Sequence, residues 1–75
     1  MFTMTEFYLG LAESQMYLYA TTGNEYGLVT ALTFISKASF KVSFEYDEEE
    51  DADFIKEVES YESFLEDYII KKLMK

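Results

Sequence analysis

The segment from Glu45 to Asp67 carries most of the charge of this 75-residue chain, and it constrains the fold more than any other feature. It holds twelve of the fifteen acidic residues and a single lysine, Lys56, for a formal charge of −11. Residues 1–44 contribute only −1, and residues 68–75 contain three lysines and no acid. Because so many like charges cannot be buried together, we expect a strongly polarised surface.

The size of the chain predicts a single domain, residues 1–75, close to the smallest that folds on its own core. Hydrophobic residues make up 49% of it, with seven Phe and seven Tyr, which is more than a monomer of this size readily hides. We therefore expect a homodimer. The candidate interface residues are Tyr17, Tyr19 and Tyr26, and the candidate core aromatics are Phe40, Phe44, Phe54 and Phe64.

Several residue types that carry common chemistry are absent. Without Cys the chain forms neither a disulfide nor a thiolate zinc site, and without His it lacks the commonest general base and metal ligand. We therefore expect no enzymatic activity and no cofactor. No apolar run approaches 18 residues and the N-terminus lacks the pattern of a signal peptide, so we expect a cytoplasmic protein with no membrane contact.

Acids recur at every second position from Asp47 to Asp53, which raises the question of a calcium loop. An EF-hand loop needs Gly at its sixth position and Glu at its twelfth. Counting from Asp47 places Ala52 and Val58 there, and counting from Asp51 places a lysine at the sixth position. We therefore expect no dedicated metal site.

The first 22 residues allow two structures. Apolar residues recur at every second position over residues 7–11 and 16–20, which favours two strands joined by a loop at residues 13–15. The alternative is one helix over about residues 4–20, with Thr3 and Glu6 as a capping box. The Tyr and Thr content, together with Gly10, favours the strands.

The next segment is predicted to form a turn and two strands. Thr22–Glu25 is typical of a turn, since Gly23 and Asn24 both accept positive φ. Residues 26–35 are almost all β-branched, aromatic or aliphatic, as in a central strand covered on both sides. Residues 39–46 alternate strictly between polar and large apolar side chains, which predicts a half-buried strand.

The strongest helical pattern lies near the C-terminus. From Phe54 to Ile69 apolar residues recur every three or four positions, with acids early and lysines late, as the helix dipole favours. We predict a helix from about Asp51 to Met74, roughly 36 Å long at 1.5 Å per residue. The predicted fold class is α+β: a small antiparallel meander of three to four strands followed by one long C-terminal amphipathic helix.

The acids form the candidate partner-binding surface. Duplex DNA carries one charge per ~1.7 Å of its axis, and ordered carboxylates at comparable spacing could occupy a basic surface that is built to bind it. On the predicted helix Glu59, Glu62 and Glu66 share one flank, about 4.5 and 6 Å apart along the axis. The residues that we expect to bind the partner are Glu45, Asp47, Glu48, Glu49, Glu50, Asp51, Asp53, Glu59, Glu62 and Glu66.

A purely structural explanation competes with this one. Acids near a helix N-terminus are stabilising, Asp47 and Glu50 could form a capping box, and acidity alone keeps many small proteins soluble. These effects explain Asp51 and Asp53 better than they explain the whole run from Asp47 to Asp53.

A compact acidic chain with an aromatic core, no Cys or His, and the run DEEEDAD ahead of a helix resembles the DNA mimics that phages encode. The resemblance lies in charge layout and size. It implies a dimeric inhibitor, active in the host cytoplasm, whose carboxylates replace phosphates on a basic DNA-binding protein of the host. One subgroup of these mimics targets the nucleoid protein HU.

Direct binding to nucleic acid is not expected, because so negative a surface repels phosphates. The alternative function is an acidic interaction adaptor, or an antitoxin-like neutraliser, that binds through its aromatic and apolar surface. The two hypotheses differ in salt dependence, since contacts made by exposed carboxylates weaken as salt screens them and apolar contacts do not.

Overall fold

The computed structural model describes residues 2–73, which form three α-helices. Helix α1 spans Met4–Thr22, α2 spans Tyr26–Glu45 and α3 spans Ala52–Leu73. No strand occurs within residues 2–73, so the predicted α+β fold with an antiparallel meander is wrong. The predicted C-terminal helix is confirmed as α3, although its predicted last residue, Met74, lies outside the described residues.

Helix α1 begins with the capping box of the alternative prediction for this segment. Thr3 Oγ1 accepts a hydrogen bond from the Glu6 N–H at 3.1 Å, and the Glu6 carboxylate accepts one from the Thr3 N–H at 3.2 Å. Past the other end, Gly23 adopts a left-handed φ of 73° and donates its N–H to the Tyr19 carbonyl. The two strands predicted here are wrong because these end signals and the burial of one helix side outweigh the weak β preference of Tyr and Thr.

Helix α2 replaces both strands predicted for residues 26–46. Five fully buried residues, spaced alternately three and four apart, form its core side: Leu28, Ala31, Ile35, Ala38 and Val42. Burial of these side chains outweighs the modest helix propensity of a segment rich in β-branched and aromatic residues. The strict alternation at residues 39–46 was misleading because Phe40 and Phe44 lie on the solvent side, 64% and 73% exposed.

Helices α1 and α2 pack as a close antiparallel pair. A Cβ built on Gly27 would lie 2.9 Å from the Gln15 carbonyl oxygen and 3.3 Å from the Tyr19 Cβ. Near the opposite end of the pair, Glu45 hydrogen-bonds to Thr5. A side chain larger than hydrogen at position 27 would therefore force the two helices apart.

Helix α3 packs against α2 through two clusters, one around Leu65 and one around Val58. The Cα atoms extend over 39 × 24 × 14 Å, so the helices form a shallow layer in which α2 touches both of the others. Phe54 is half-buried at the edge of the second cluster. The prediction that Phe40, Phe44 and Phe64 belong to the core is wrong, because each points away from the helix side that is buried.

Candidate acidic interface

The acidic run occupies the connection between α2 and α3. Tyr46 anchors its beginning, since the Tyr46 hydroxyl lies 3.0 Å from Thr3 Oγ1 and the ring packs against Phe54 with the centroids 4.8 Å apart. The connection therefore leaves the helical layer at a fixed place, beside the N-terminus of α1.

Asp47 organises the connection. Its Oδ1 accepts hydrogen bonds from the N–H groups of Glu49 at 2.7 Å and Glu50 at 3.1 Å, which hold the pKa of the Asp47 carboxyl below its ordinary value. Asp51 returns the interaction by accepting from the Asp47 N–H at 3.1 Å. The sequence predicted a capping box between Asp47 and Glu50. In the structure the side chain that accepts from the Asp47 N–H is that of Asp51, one position later.

Glu45 has a role inside the chain. Its carboxylate accepts hydrogen bonds from the N–H groups of Met4 at 3.0 Å and Thr5 at 2.7 Å, and from the Thr5 hydroxyl at 2.6 Å. These N–H groups belong to the first turn of α1, where they have no partner within the helix and where the helix dipole favours a negative charge. The hydrogen bond from the Thr5 hydroxyl is the main reason that the pKa of Glu45 lies below its ordinary value.

The other predicted residues present carboxylates at the surface. Glu48, Glu49 and Glu50 are exposed in the turn, and Asp53 is exposed in the first turn of α3. On the flank of α3 that the sequence predicted, Glu59 and Glu66 are exposed and Glu62 is half-buried. We call the following seven residues the acidic surface: Glu48, Glu49, Glu50, Asp53, Glu59, Glu62 and Glu66.

The connection and the flank of α3 meet in one shallow groove of about 270 Å³. Glu48 enters it from the connection and Glu59 from the helix. The residues lining it are Ser43, Glu48, Ala52, Ile55, Lys56 and Glu59. Glu48 and Glu59 are therefore neighbours although eleven positions separate them in sequence, whereas Asp53 lines a separate groove of α3 together with Glu57.

Two features of this region were not predicted from the sequence. One is Thr5, the buried partner of Glu45. The other is a groove of about 370 Å³ beside α2, where Lys37 and Lys41 lie near Tyr8 and Phe40 and the Lys37 Nζ is 5.8 Å from the Tyr8 ring centroid. A signal for the second was present, because no acid occurs between residues 26 and 44.

Within residues 2–73, no group of three or more His, Cys, Asp or Glu side chains is arranged to hold a metal ion. None of the three helices, over the part of the chain described, combines the length and apolar character needed to cross a membrane.

Comparison of the chain with protein-family models, curated proteins and solved structures finds no match. The resemblance to phage DNA mimics is therefore carried by charge layout and size alone.

Proposed function

We propose that the protein is a non-enzymatic DNA mimic that occupies the basic DNA-binding surface of a host protein, and that it acts in the host cytoplasm as a homodimer. A nucleoid-associated protein such as HU is the favoured partner. The observation that supports this most directly is the groove shared by Glu48 and Glu59, which joins the acids of the connection to those of α3.

The acidic surface is well suited to replace phosphates because its carboxylates are held on ordered backbone. Asp47 and Asp51 fix the turn that carries three of them, and the helical spacing of α3 fixes the rest. A surface ordered before binding loses little conformational entropy when a partner docks. Asp47 and Asp51 thus support the surface from within, while the exposed carboxylates meet the partner.

The acids of the α3 flank make no evident contribution to the fold. Glu62 and Glu66 are four residues apart on one helix side, an arrangement of like charges that costs about 0.2–0.5 kcal/mol. Hydrogen bonds within the fold account for Glu45, Asp47 and Asp51, but not for this flank. A repulsive row far from the helix N-terminus is better explained by a partner of opposite charge.

The alternative function, an adaptor or antitoxin-like neutraliser that binds through aromatic surface, also has support. Tyr17 and Tyr26 are 72% and 73% exposed, whereas Tyr19 is half-buried and its hydroxyl lies 3.4 Å from that of Tyr68. The exposed aromatics could hold a partner by apolar contact. Such binding would persist when salt screens the carboxylates.

Capture from a bacterial lysate separates the two functions. The immobilised protein is incubated with lysate at 0.1 M and 1 M salt, where the Debye length is about 10 and 3 Å, and the bound proteins are identified. We expect basic DNA-binding proteins at the lower salt and their loss at the higher. Neutral or acidic partners that remain at 1 M salt would reject the mimic and favour the adaptor.

A charge-matched pair of variants completes this experiment. The variant E48Q/E49Q/E50Q removes three charges from the acidic surface and should lose the captured proteins. The control E6Q/E13Q/E25Q removes three charges elsewhere and preserves the α1 cap, since Gln also serves in a capping box. Equal loss from both variants would mean that overall charge, and not the acidic surface, determines binding.

A further inference from the structure

The side of α2 that points away from the core carries large exposed apolar residues. Tyr26, Phe40 and Phe44 are 73%, 64% and 73% exposed, and Val29 is 44% exposed. Together with Thr33 and Lys37, which lie between them, they recur at three- and four-residue spacing, about half a turn from the core side. We call this surface the outer face of α2; it consists of Tyr26, Val29, Thr33, Lys37, Phe40 and Phe44.

Charge determines which kind of partner this face accepts. The whole chain carries −9, yet residues 26–44 contain no acid and two lysines, Lys37 and Lys41. Two copies of so negative a chain repel one another wherever acidic surfaces meet. The outer face of α2 lacks acids, so it allows close approach of a second copy.

The outer face also has a symmetric arrangement about residue 35. Tyr26 and Phe44 lie nine residues on either side of it, and Thr33 and Lys37 lie two residues on either side. When two such helices pack antiparallel, each Tyr26 meets the partner's Phe44 and each Lys37 meets the partner's Thr33. A two-fold dimer needs a self-complementary surface of this kind, and in the same register each Val29 meets the partner's Lys41 and each Phe40 meets the partner's Thr30.

The area is adequate for a modest dimer. An aromatic side chain buries roughly 150–250 Å², so the three exposed rings alone supply about half of the ~800 Å² per partner that a standard interface covers. Val29 and the aliphatic stems of Lys37 and Lys41 add to this area. We infer that two copies of the chain associate through the outer faces of α2 as an antiparallel two-fold dimer.

This dimer has a consequence for the acidic surface. Helix α2 ends at Glu45, ten positions after residue 35, so at 1.5 Å per residue the two copies of Glu45 lie roughly 30 Å apart along the paired helices. The two acidic connections therefore begin at opposite ends of the dimer. This separation is of the same order as the roughly 34–36 Å between half-sites of dimeric DNA-binding proteins, a comparison that rests on the proposed function, whereas the dimer itself does not.

Mass measurement by sedimentation equilibrium tests the dimer. We expect the parent at twice the chain mass and the variant F40K/F44K at the chain mass, with its helical circular dichroism unchanged. The control F64K/Y17K changes two equally exposed aromatics outside α2 and should remain dimeric. A monomeric parent, or a dimeric F40K/F44K, would overturn the inference.

A second variant covers the case in which F40K/F44K fails to fold. T33K replaces an exposed polar residue close to the two-fold axis and places a lysine opposite the partner's Lys37 in each copy of the interface. We expect a helical monomer, because like charges would then face each other across the interface. A helical T33K variant that remains fully dimeric would contradict the proposed interface.

Spin labelling tests the antiparallel arrangement. The chain has no native Cys, so S43C, at an exposed position of α2, carries the only label in each copy. The antiparallel dimer predicts a label distance of at least roughly 24 Å, from eight residues on each side of residue 35. A distance below about 20 Å would indicate a parallel pair and overturn the arrangement. These measurements use no partner protein, so failure of the dimer is distinguishable from failure of the acidic surface to bind a DNA-binding protein.

Discussion

The carboxylate of Glu45 accepts hydrogen bonds from both the hydroxyl and the N–H of Thr5, at 2.6 and 2.7 Å. The contact joins the last residue of α2 to the first turn of α1, and Thr5 is fully buried beneath it. It closes the antiparallel pair at the end where the acidic connection begins. The position of the acidic surface therefore depends on a structural contact made by a neighbouring acid.

The variant Thr5→Val should lower the free energy of unfolding by about 1–2 kcal/mol, because it removes a hydrogen bond to a charged acceptor while preserving the shape of the side chain. Urea unfolding followed by circular dichroism measures this. The control Thr21→Val removes an exposed hydroxyl that bonds only to carbonyls of its own helix, and should change stability by less than about 0.5 kcal/mol. Equal losses of unfolding free energy in the two variants would show that the Thr5–Glu45 contact stabilises the fold no more than an exposed hydroxyl does.

The stability contributed by the Glu45 charge should depend on pH. Its folded pKa lies below the ordinary 4.5, so the contribution is present above that pH and is lost as the pH falls through the folded pKa. Gln retains an acceptor without the charge. The stability difference between the parent and Glu45→Gln should therefore be largest at pH 7 and shrink below about pH 4.5. A difference that grows on acidification would contradict this account.

Two glycine substitutions should have opposite effects on stability. Gly10 has no neighbour within 4 Å of a built Cβ, so Gly10→Ala should stabilise the protein by about 0.5–1 kcal/mol through helix propensity. Gly27→Ala places its Cβ against the backbone of α1 and should destabilise by about 1–3 kcal/mol despite the same propensity gain. Thermal unfolding compares the two, and a stabilising Gly27→Ala would refute the close α1–α2 contact.

Asp47 and the acids that follow it should respond differently to substitution. Asp47→Ala removes the acceptor of the Glu49 and Glu50 N–H groups, so these two amides should exchange with solvent several-fold faster. The variant E48Q/E49Q/E50Q leaves that acceptor in place and should leave both the exchange of neighbouring amides and the unfolding midpoint near the parent values. Hydrogen exchange measured by NMR checks both. Unchanged exchange in Asp47→Ala would mean that Asp47 does not order the turn.

Parts of this fold could be predicted from local sequence signals. From Phe54 to Ile69 the spacing of the apolar residues fits the period of a helix and not that of a strand. This segment lies within α3. The Thr3–Glu6 capping box and the turn at Gly23 also mark the ends of α1 correctly. These signals are local, so no knowledge of the tertiary packing is needed to use them.

Helix α2 could not be predicted in the same way because it is apolar on two sides. Its core residues, from Leu28 to Val42, follow a helical period, but the exposed Phe40 and Phe44 add a second apolar set that imitates a strand. Which set is buried is decided by contact with α1 and α3. If the dimer forms as we infer, the second set is explained by contact with another copy of the chain.

The roles of the residues in the candidate site could likewise be predicted only in part. The exposure of Glu48, Glu49 and Glu50 follows from charge density alone. The internal role of Glu45 depends on Thr5, forty residues away, and only the antiparallel pairing of α1 and α2 brings them together. Sequence therefore indicated the acidic run but could not separate its structural members from its surface members.

The displacement of labelled duplex DNA from HU, followed by fluorescence anisotropy at 0.1 M salt, tests whether the acidic surface acts as a DNA mimic. The parent should displace the DNA, and E48Q/E49Q/E50Q should require at least about tenfold more protein, in keeping with the lower end of electrostatic steering effects. The charge-matched control E6Q/E13Q/E25Q should act as the parent does. Failure of the parent to displace DNA, or equal displacement by E48Q/E49Q/E50Q, would contradict a DNA mimic that acts through this acidic surface.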